Sequence, residues 1–353
     1  MYIHFFLTSL FNSTYVEAGE LQKRITELAH SGKLEILLET SDGLKFVNIN
    51  NVKYEGDIIL GQNSHFHIDL KALSHSGRYI AYTLFGYYLD KGTIKIFDVA
   101  TGNTEDIATF KEIAGLAISP DDKKIAFVAT YDDLGSYNGV PMSIENMAAY
   151  FKQKTEHDSK VRGLFVIDLK SREIEKLIEK NVAYIENTAW SPDGSKILYQ
   201  AGDQSHAIID LETRASKKIL DKDYSYTSWT HDSKRIIYLN DLYVDAKDSH
   251  YYSVDLNGQD KQLFLENKEL NKISLFSGVY KIQTPIYTSP NGEFLLYGRS
   301  AGFKGSCCEA YVMDTSTKET IPVGYGEIGG WTFSSQFLWP KNESSAEAPT
   351  PET

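Results

Sequence analysis

Two histidines and a carboxylate, His65-x-His67-x-Asp69, sit near the start of the chain in a segment that reads as extended. Strand side chains repeat every two residues, so all three fall on one face, where neutral imidazoles and a carboxylate can hold a divalent cation. Water-satisfied polar groups are the commoner use of such a face, and no metal and no cofactor is assigned. Gly298-Arg-Ser300-Ala-Gly302 spells the G-x-S-x-G nucleophile elbow. That motif works only where a strand turns sharply into a helix, and no helical period follows it here. Gly324-Tyr-Gly326-Glu-Ile-Gly329 spells G-x-G-x-x-G but runs into the strand-like Trp331-Thr-Phe, not into the helix that a dinucleotide needs. The only cysteines, Cys307 and Cys308, are adjacent and cannot complete a structural zinc site. No residue is assigned a catalytic role.

The elements that must position these residues are strands. The chain has 353 residues, 42% hydrophobic and 24% charged, and its 23 tyrosines against 4 methionines lean toward β structure. A net charge of −12 argues against a nucleic-acid partner, and no run approaches the roughly 20 apolar residues of a membrane span. The opening Met1–Phe11 is short and apolar, and Val16-Glu17-Ala18 after it fits a small-x-small cleavage site. No Lys or Arg precedes Lys23, so residues 1–18 read either as a signal or anchor segment clipped at its front, which implies an extracytoplasmic location, or as an ordinary buried strand. Leu21, Ile25 and Leu28 give residues 19–33 a short helical face, and residues 341–353 form a polar tail.

Internal repetition is the strongest signal. Ala189-Trp-Ser-Pro-Asp-Gly-Ser-Lys-Ile-Leu-Tyr199 has relatives aligned on Ser74, Ser119, Thr230, Ser289 and Thr332, so that with Ser191 the steps are 45, 72, 39, 59 and 43 residues. Each copy reads as strand, polar turn, strand. A second pair follows most copies, with an apolar run ending on Asp98, Asp168, Asp210, Asp255 or Asp314 and then a short turn. The unit is four strands, a to d, and the expected fold is all-β: a six-bladed β-propeller over residues 34–340. The sixth copy supplies strands a and b, and the N-terminal stretches Leu34–Glu39 and Leu44–Asn48 supply c and d, closing the ring. Blade two carries an insertion, residues 131–162, with a helix expected over residues 143–154.

The Ser-Pro-Asp-Gly-x-Lys-Ile-x-Tyr pattern with Ile-x-x-Ile-Asp-Leu resembles the WD-like repeats of TolB-like six-bladed propellers over residues 34–339. The resemblance implies an extracytoplasmic protein that binds other proteins. By chain direction, b–c loops and d–a connections share one face, and the tight a–b and c–d turns share the other. Long tyrosine-bearing loops are natural contact surfaces, so Tyr87, Tyr88, Tyr131, Asp132, Asp133 and Tyr137 are binding-face candidates. The expectation is a non-catalytic scaffold for a protein or surface polymer. The alternative is a propeller enzyme, a polysaccharide lyase or peptide hydrolase, using His65, His67, Asp69, Glu112 and Glu186 at the channel mouth. The sequence sets neither the partner nor the oligomeric state.

Overall fold

Runs such as Ile125-Ala-Phe-Val-Ala129 have no polar alternation, which a strand tolerates only when both of its faces are buried. They form the middle strands of four-stranded antiparallel sheets. The structure, a computed structural model, describes residues 35–40, 43–47, 58–61, 67–85, 92–110, 113–130, 162–179, 181–183, 188–221, 224–240, 250–266, 286–289, 292–299, 309–325 and 327–332.

The described chain opens with β1 (Glu35–Thr40), β2 (Gly43–Val47) and β3 (Ile58–Gly61). Five blades of consecutive strands follow. Blade one is β4 (His67–Leu73), β5 (Tyr79–Phe85), β6 (Gly92–Asp98) and β7 (Asn103–Phe110). Blade two is β8 (Ile113–Ile118), β9 (Lys124–Thr130), β10 (Arg162–Asp168) and β11 (Ile174–Ile178). Blade three is β12 (Ala189–Trp190), β13 (Lys196–Gln200), β14 (His206–Asp210) and β15 (Ser216–Leu220). Blade four is β16 (Tyr224–Trp229), β17 (Arg235–Asn240), β18 (Tyr251–Asp255) and β19 (Gln262–Leu265). Blade five is β20 (Tyr287–Thr288), β21 (Phe294–Arg299), β22 (Glu309–Asp314) and β23 (Thr320–Tyr325). The last strand, β24 (Glu327–Thr332), joins β1, β2 and β3 in a further four-stranded sheet of order β24-β1-β2-β3. This composite sheet stands between blades five and one, with β24 against both β21 and β4.

Alternate residues of each middle strand serve opposite seams. Ile125, Phe127 and Ala129 pack with Ala81 and Ile94 of blade one, whereas Ala126 and Val128 pack with Ile197 and Tyr199 of blade three. Ile236 and Tyr238 likewise face Leu198 and Ile208 of blade three, and Ile237 and Leu239 face Leu295 and Tyr297 of blade five. Each large side chain so buried stabilises the fold by about 1.5–3 kcal/mol. The outermost strand of every sheet carries one extra apolar residue at an equivalent register: Ile59, Ile107, Leu177, Ile219, Phe264 and Val323. Such a bulge twists an exposed edge away from a flat pairing surface.

Two sequence expectations change. The C-terminal copy contributes one strand to the composite sheet, not two, and the N-terminal part contributes three, not two. Glu35–Thr40 pairs directly with β24 as the second strand, and Ile58–Gly61 supplies the outer one. Ile58–Gly61 lay outside the recognised repeat because no Asp-turn signature precedes it. Among the described residues there is no helix; residues 19–33 and 143–154, where helices are expected, lie outside them.

Candidate functional site

Antiparallel connectivity gives the disc two unlike faces. On the turn face, the first residue of every a–b turn is a buried serine or threonine whose hydroxyl accepts the backbone N–H five residues on. These bonds run from Tyr79 to Ser74 (3.0 Å), Lys124 to Ser119 (2.9 Å), Lys196 to Ser191 (2.9 Å), Arg235 to Thr230 (3.1 Å) and Phe294 to Ser289 (2.9 Å). Ser119, Ser191 and Thr230 also donate to Asp121 (2.7 Å), Asp193 (2.6 Å) and Asp232 (2.6 Å). Burial pushes the Asp193 carboxyl up, but the hydrogen bonds from Ser191 and Ser195 outweigh it and hold it below the usual carboxylate range. The fourth turn residue always has positive φ, whether glycine (Gly77, Gly194, Gly292) or not (Asp122 at 59°, Ser233 at 61°). Neighbouring turns interlock: His75 N–H donates to Asp122 Oδ1 at 3.0 Å, and Asp193 N–H donates to Ser233 Oγ at 3.0 Å.

The c–d turns on this face close on aspartates. Asp98, Asp168, Asp210, Asp255 and Asp314 each accept a backbone N–H two residues on, as from Ala100 at 2.9 Å and Ser316 at 2.8 Å. The Asp210 carboxyl is held well below its usual range, first by the Thr213 N–H and then by Lys196. Serine, histidine and aspartate thus stand close together around Thr230-His231-Asp232, yet the hydroxyls are committed to backbone and carboxylate partners. Nothing there activates a nucleophile.

The opposite face carries the b–c and d–a connections. Tyr87, Tyr88, Tyr131, Asp132, Asp133, Tyr137, His65, Glu112, Glu186, Ser300, Cys307 and Cys308 lie outside the described residues. His67 and Asp69 fall in β4, where an extra residue shifts the register between Ile68 and Lys71, so strict two-residue alternation stops at Asp69. Among the described residues no group of three His, Cys, Asp or Glu could hold a metal. Gly298 and Arg299 pair with Ala310 and Glu309 in a strand hairpin, and Gly324 and Gly329 belong to successive strands β23 and β24. The G-x-G-x-x-G motif therefore runs from strand to strand, without the helix that a dinucleotide site requires, whereas Ser300, Ala301 and Gly302 of the other motif lie outside the described residues.

Bulges recur in the innermost strands on the side toward this loop face: at Asp69–Leu70 in β4, Gly115 in β8, Tyr226–Thr227 in β16 and Gly329 in β24. The β16 bulge holds Tyr226 at φ 52° and ties three blades together. Ser228 Oγ donates to the Ile286 carbonyl ahead of β20 at 2.6 Å, and Thr227 Oγ1 lies 3.3 Å from Nδ1 of His206 in β14. His206 Nε2 is 2.9 Å from the Tyr224 carbonyl, which can only accept, so Nε2 carries the proton and Nδ1 accepts from Thr227. Burial is the main influence on this imidazole and lowers its pKa. Sequence reasoning passed over His206, a single histidine in an ordinary strand c with no motif around it.

Comparison with known proteins adds the fold family and little more. No family model matches the chain, and no curated protein matches it. Among solved structures it is similar to TolB from Acinetobacter baumannii (TM-score 0.57, 17% identity, covering 86% of this chain and 66% of that one). It is similar to an oligogalacturonate lyase in complex with manganese (TM-score 0.52, 13% identity, 80% and 70% covered). It is also similar to a chain of a nidogen/laminin complex (TM-score 0.55, 9% identity, 86% and 100% covered). The chain spans just under two thirds of the length of that TolB. At these identities the likeness establishes a TolB-like propeller fold.

Proposed function

We propose that the protein is a non-catalytic, extracytoplasmic propeller that binds another protein or a surface polymer through its b–c loop face. The observation that carries this reading is the inequality of the two faces. Short turns, each fastened by its own serine, threonine or aspartate, make up one of them. The other receives connections as long as residues 131–161, 241–249 and 300–308 between strands that are themselves fixed. Variable loops on a rigid scaffold are where recognition usually resides. The apolar opening Met1–Phe11 supports the extracytoplasmic placement. In the test, partners are cross-linked to the wild-type protein, and Tyr87, Tyr88, Tyr131 and Tyr137 are replaced together by alanine. Loss of the cross-linked partner, with retention in a turn-face Lys123→Ala control, is expected. Unchanged partners in the tyrosine variant would exclude this face.

A second reading, a metal-assisted polysaccharide lyase, draws on the likeness to a lyase solved with manganese and on the inner-strand bulge at Asp69. Calorimetric titration with manganese separates the two readings. Stoichiometric binding abolished in both His67→Ala and Asp69→Ala would favour the lyase; absence of binding heat would count against it.

A further inference from the structure

At the rim of the disc, the three seams between blades one and four are crossed from the same place in each outermost strand. Glu105, Glu175 and Lys217 stand opposite Ile96, Val166 and Ile208, each two residues before its blade's turn aspartate. All three reach the c–d turn of the next blade. Glu105 pairs with Arg172, Glu175 pairs with Arg214, and the Lys217 ammonium donates to Oδ1 of Asn257. The first two contacts are ion pairs, whereas the third joins a cation to a neutral amide.

The turn that carries Asn257 is also one residue shorter. In blades two, three and five the aspartate N–H donates to the carbonyl five residues on, at 3.0, 3.0 and 2.9 Å. In blade four the Asp255 N–H donates to Gln259, four residues on, at 2.9 Å, and Gly258 N–H donates back to the Asp255 carbonyl at 3.0 Å. Gly258 takes φ 74°, and a Cβ there would lie 2.3 Å from the Ile219 carbonyl oxygen of blade three. The shorter turn thus demands glycine directly after an exposed asparagine.

We infer that Asn257 is a deamidation site, at which Lys217 of the neighbouring blade promotes the step and receives the carboxylate produced. The Gly258 nitrogen loses its proton to hydroxide and adds to Cγ of Asn257, with no Cβ of its own to shield it. The bond from Cγ to Nδ2 breaks, and ammonia leaves after taking a proton from water. Water then opens the cyclic imide at either carbonyl, giving aspartate or isoaspartate, so the net change is water in and ammonia out. Negative charge collects on Oδ1 during the addition, and the Lys217 ammonium already lies on that atom. Asp255 acts against the product, because its Oδ2 lies 3.4 Å from Nδ2 of Asn257 and would face a second carboxylate. Lys217 offsets that repulsion and gives this seam the ion pair that the other two already have. Gly258 N–H must first leave the Asp255 carbonyl, so the reaction proceeds through a local opening of the turn.

Peptide mapping by mass spectrometry tests this on the full chain, held in mildly alkaline buffer made with heavy-oxygen water. Conversion at Asn257 with uptake of heavy oxygen is expected, faster as pH rises. Lys217→Met is expected to slow it about two- to fivefold, as the loss of an exposed charge contact allows, and Lys217→Arg to restore most of the rate. The Asn-Gly pairs at 138–139 and 291–292 are internal references, whose conversion the Lys217 variants should leave unchanged. Thermal melts read the product: Lys217→Met should lower the melting temperature more in the Asn257→Asp protein than in the wild type. No conversion at Asn257, or conversion in Lys217→Met as fast as in the wild type, overturns the inference. So does an equal melting loss in the two backgrounds.

Discussion

At the scale of single residues, the fold uses polar chemistry for fastening. His206 is neutral because its burial disfavours the imidazolium, so its pKa lies below the ordinary value near 6.5. The unfolded chain binds a proton there that the folded one does not, so this contribution is complete above about pH 6.5 and is lost as pH falls from there through the folded value. Thermal melts of the wild type should drop between pH 7 and pH 5.5, and His206→Gln should be less stable at pH 7 but flatter across that interval. Equal slopes would remove His206 as the cause. Gly258 is a second such point: with φ 74°, a Cβ there would lie 2.3 Å from the Ile219 carbonyl oxygen. Gly258→Ala should cost roughly 1–3 kcal/mol by denaturant unfolding. The turn glycines and aspartates were legible because their bonds close within a few residues. His206 was not, since its partners Tyr224 and Thr227 come from the next blade and only the fold brings them to it.

At the scale of elements, the serine of each a–b turn is the clearest target. Ser191 is fully buried, accepts the Lys196 N–H at 2.9 Å and donates to Asp193. Ser191→Ala strands that N–H and should destabilise the protein by about 1–2 kcal/mol, with Ser191→Thr recovering most of the loss, as Thr230 already fills the equivalent place. The depressed turn carboxylates add a second acid step. Asp121, Asp168, Asp193, Asp210, Asp232 and Asp255 all titrate below their unfolded value, so their stabilisation is present above about pH 4 and lost as pH falls further. Strands and turns could be read from Ser-Pro-Asp-Gly and Ile-x-x-Ile-Asp because each pattern reports local backbone geometry. The bulges could not: Leu177 or Ile219 looks like any strand residue, and its extra place exists only relative to a partner strand.

At the scale of the molecule, the sequence indicated that N-terminal strands close the ring but divided the composite sheet wrongly. Among the described residues, β24 is the one strand that the C-terminal side gives to the composite sheet. Deleting residues 327–353 removes its innermost strand and uncovers the β1 edge, so cooperative unfolding should be lost and association should appear in gel filtration. Conversely, a Ser-Pro-Asp-Gly-Ser-Lys turn from Thr332 to Glu35, with new termini opened in the connection at residues 241–249, should give a folded permutant with an uninterrupted blade. The composite sheet also has a cost in time. Once β1 has left the ribosome, its pairing edge waits for a strand nearly 290 residues further along. At about 5–20 residues per second, that is roughly 15–60 s of synthesis. Throughout that interval the nascent chain carries an open template for stray strands, so any cell that makes this protein must keep the N-terminal segment shielded until the final strand arrives.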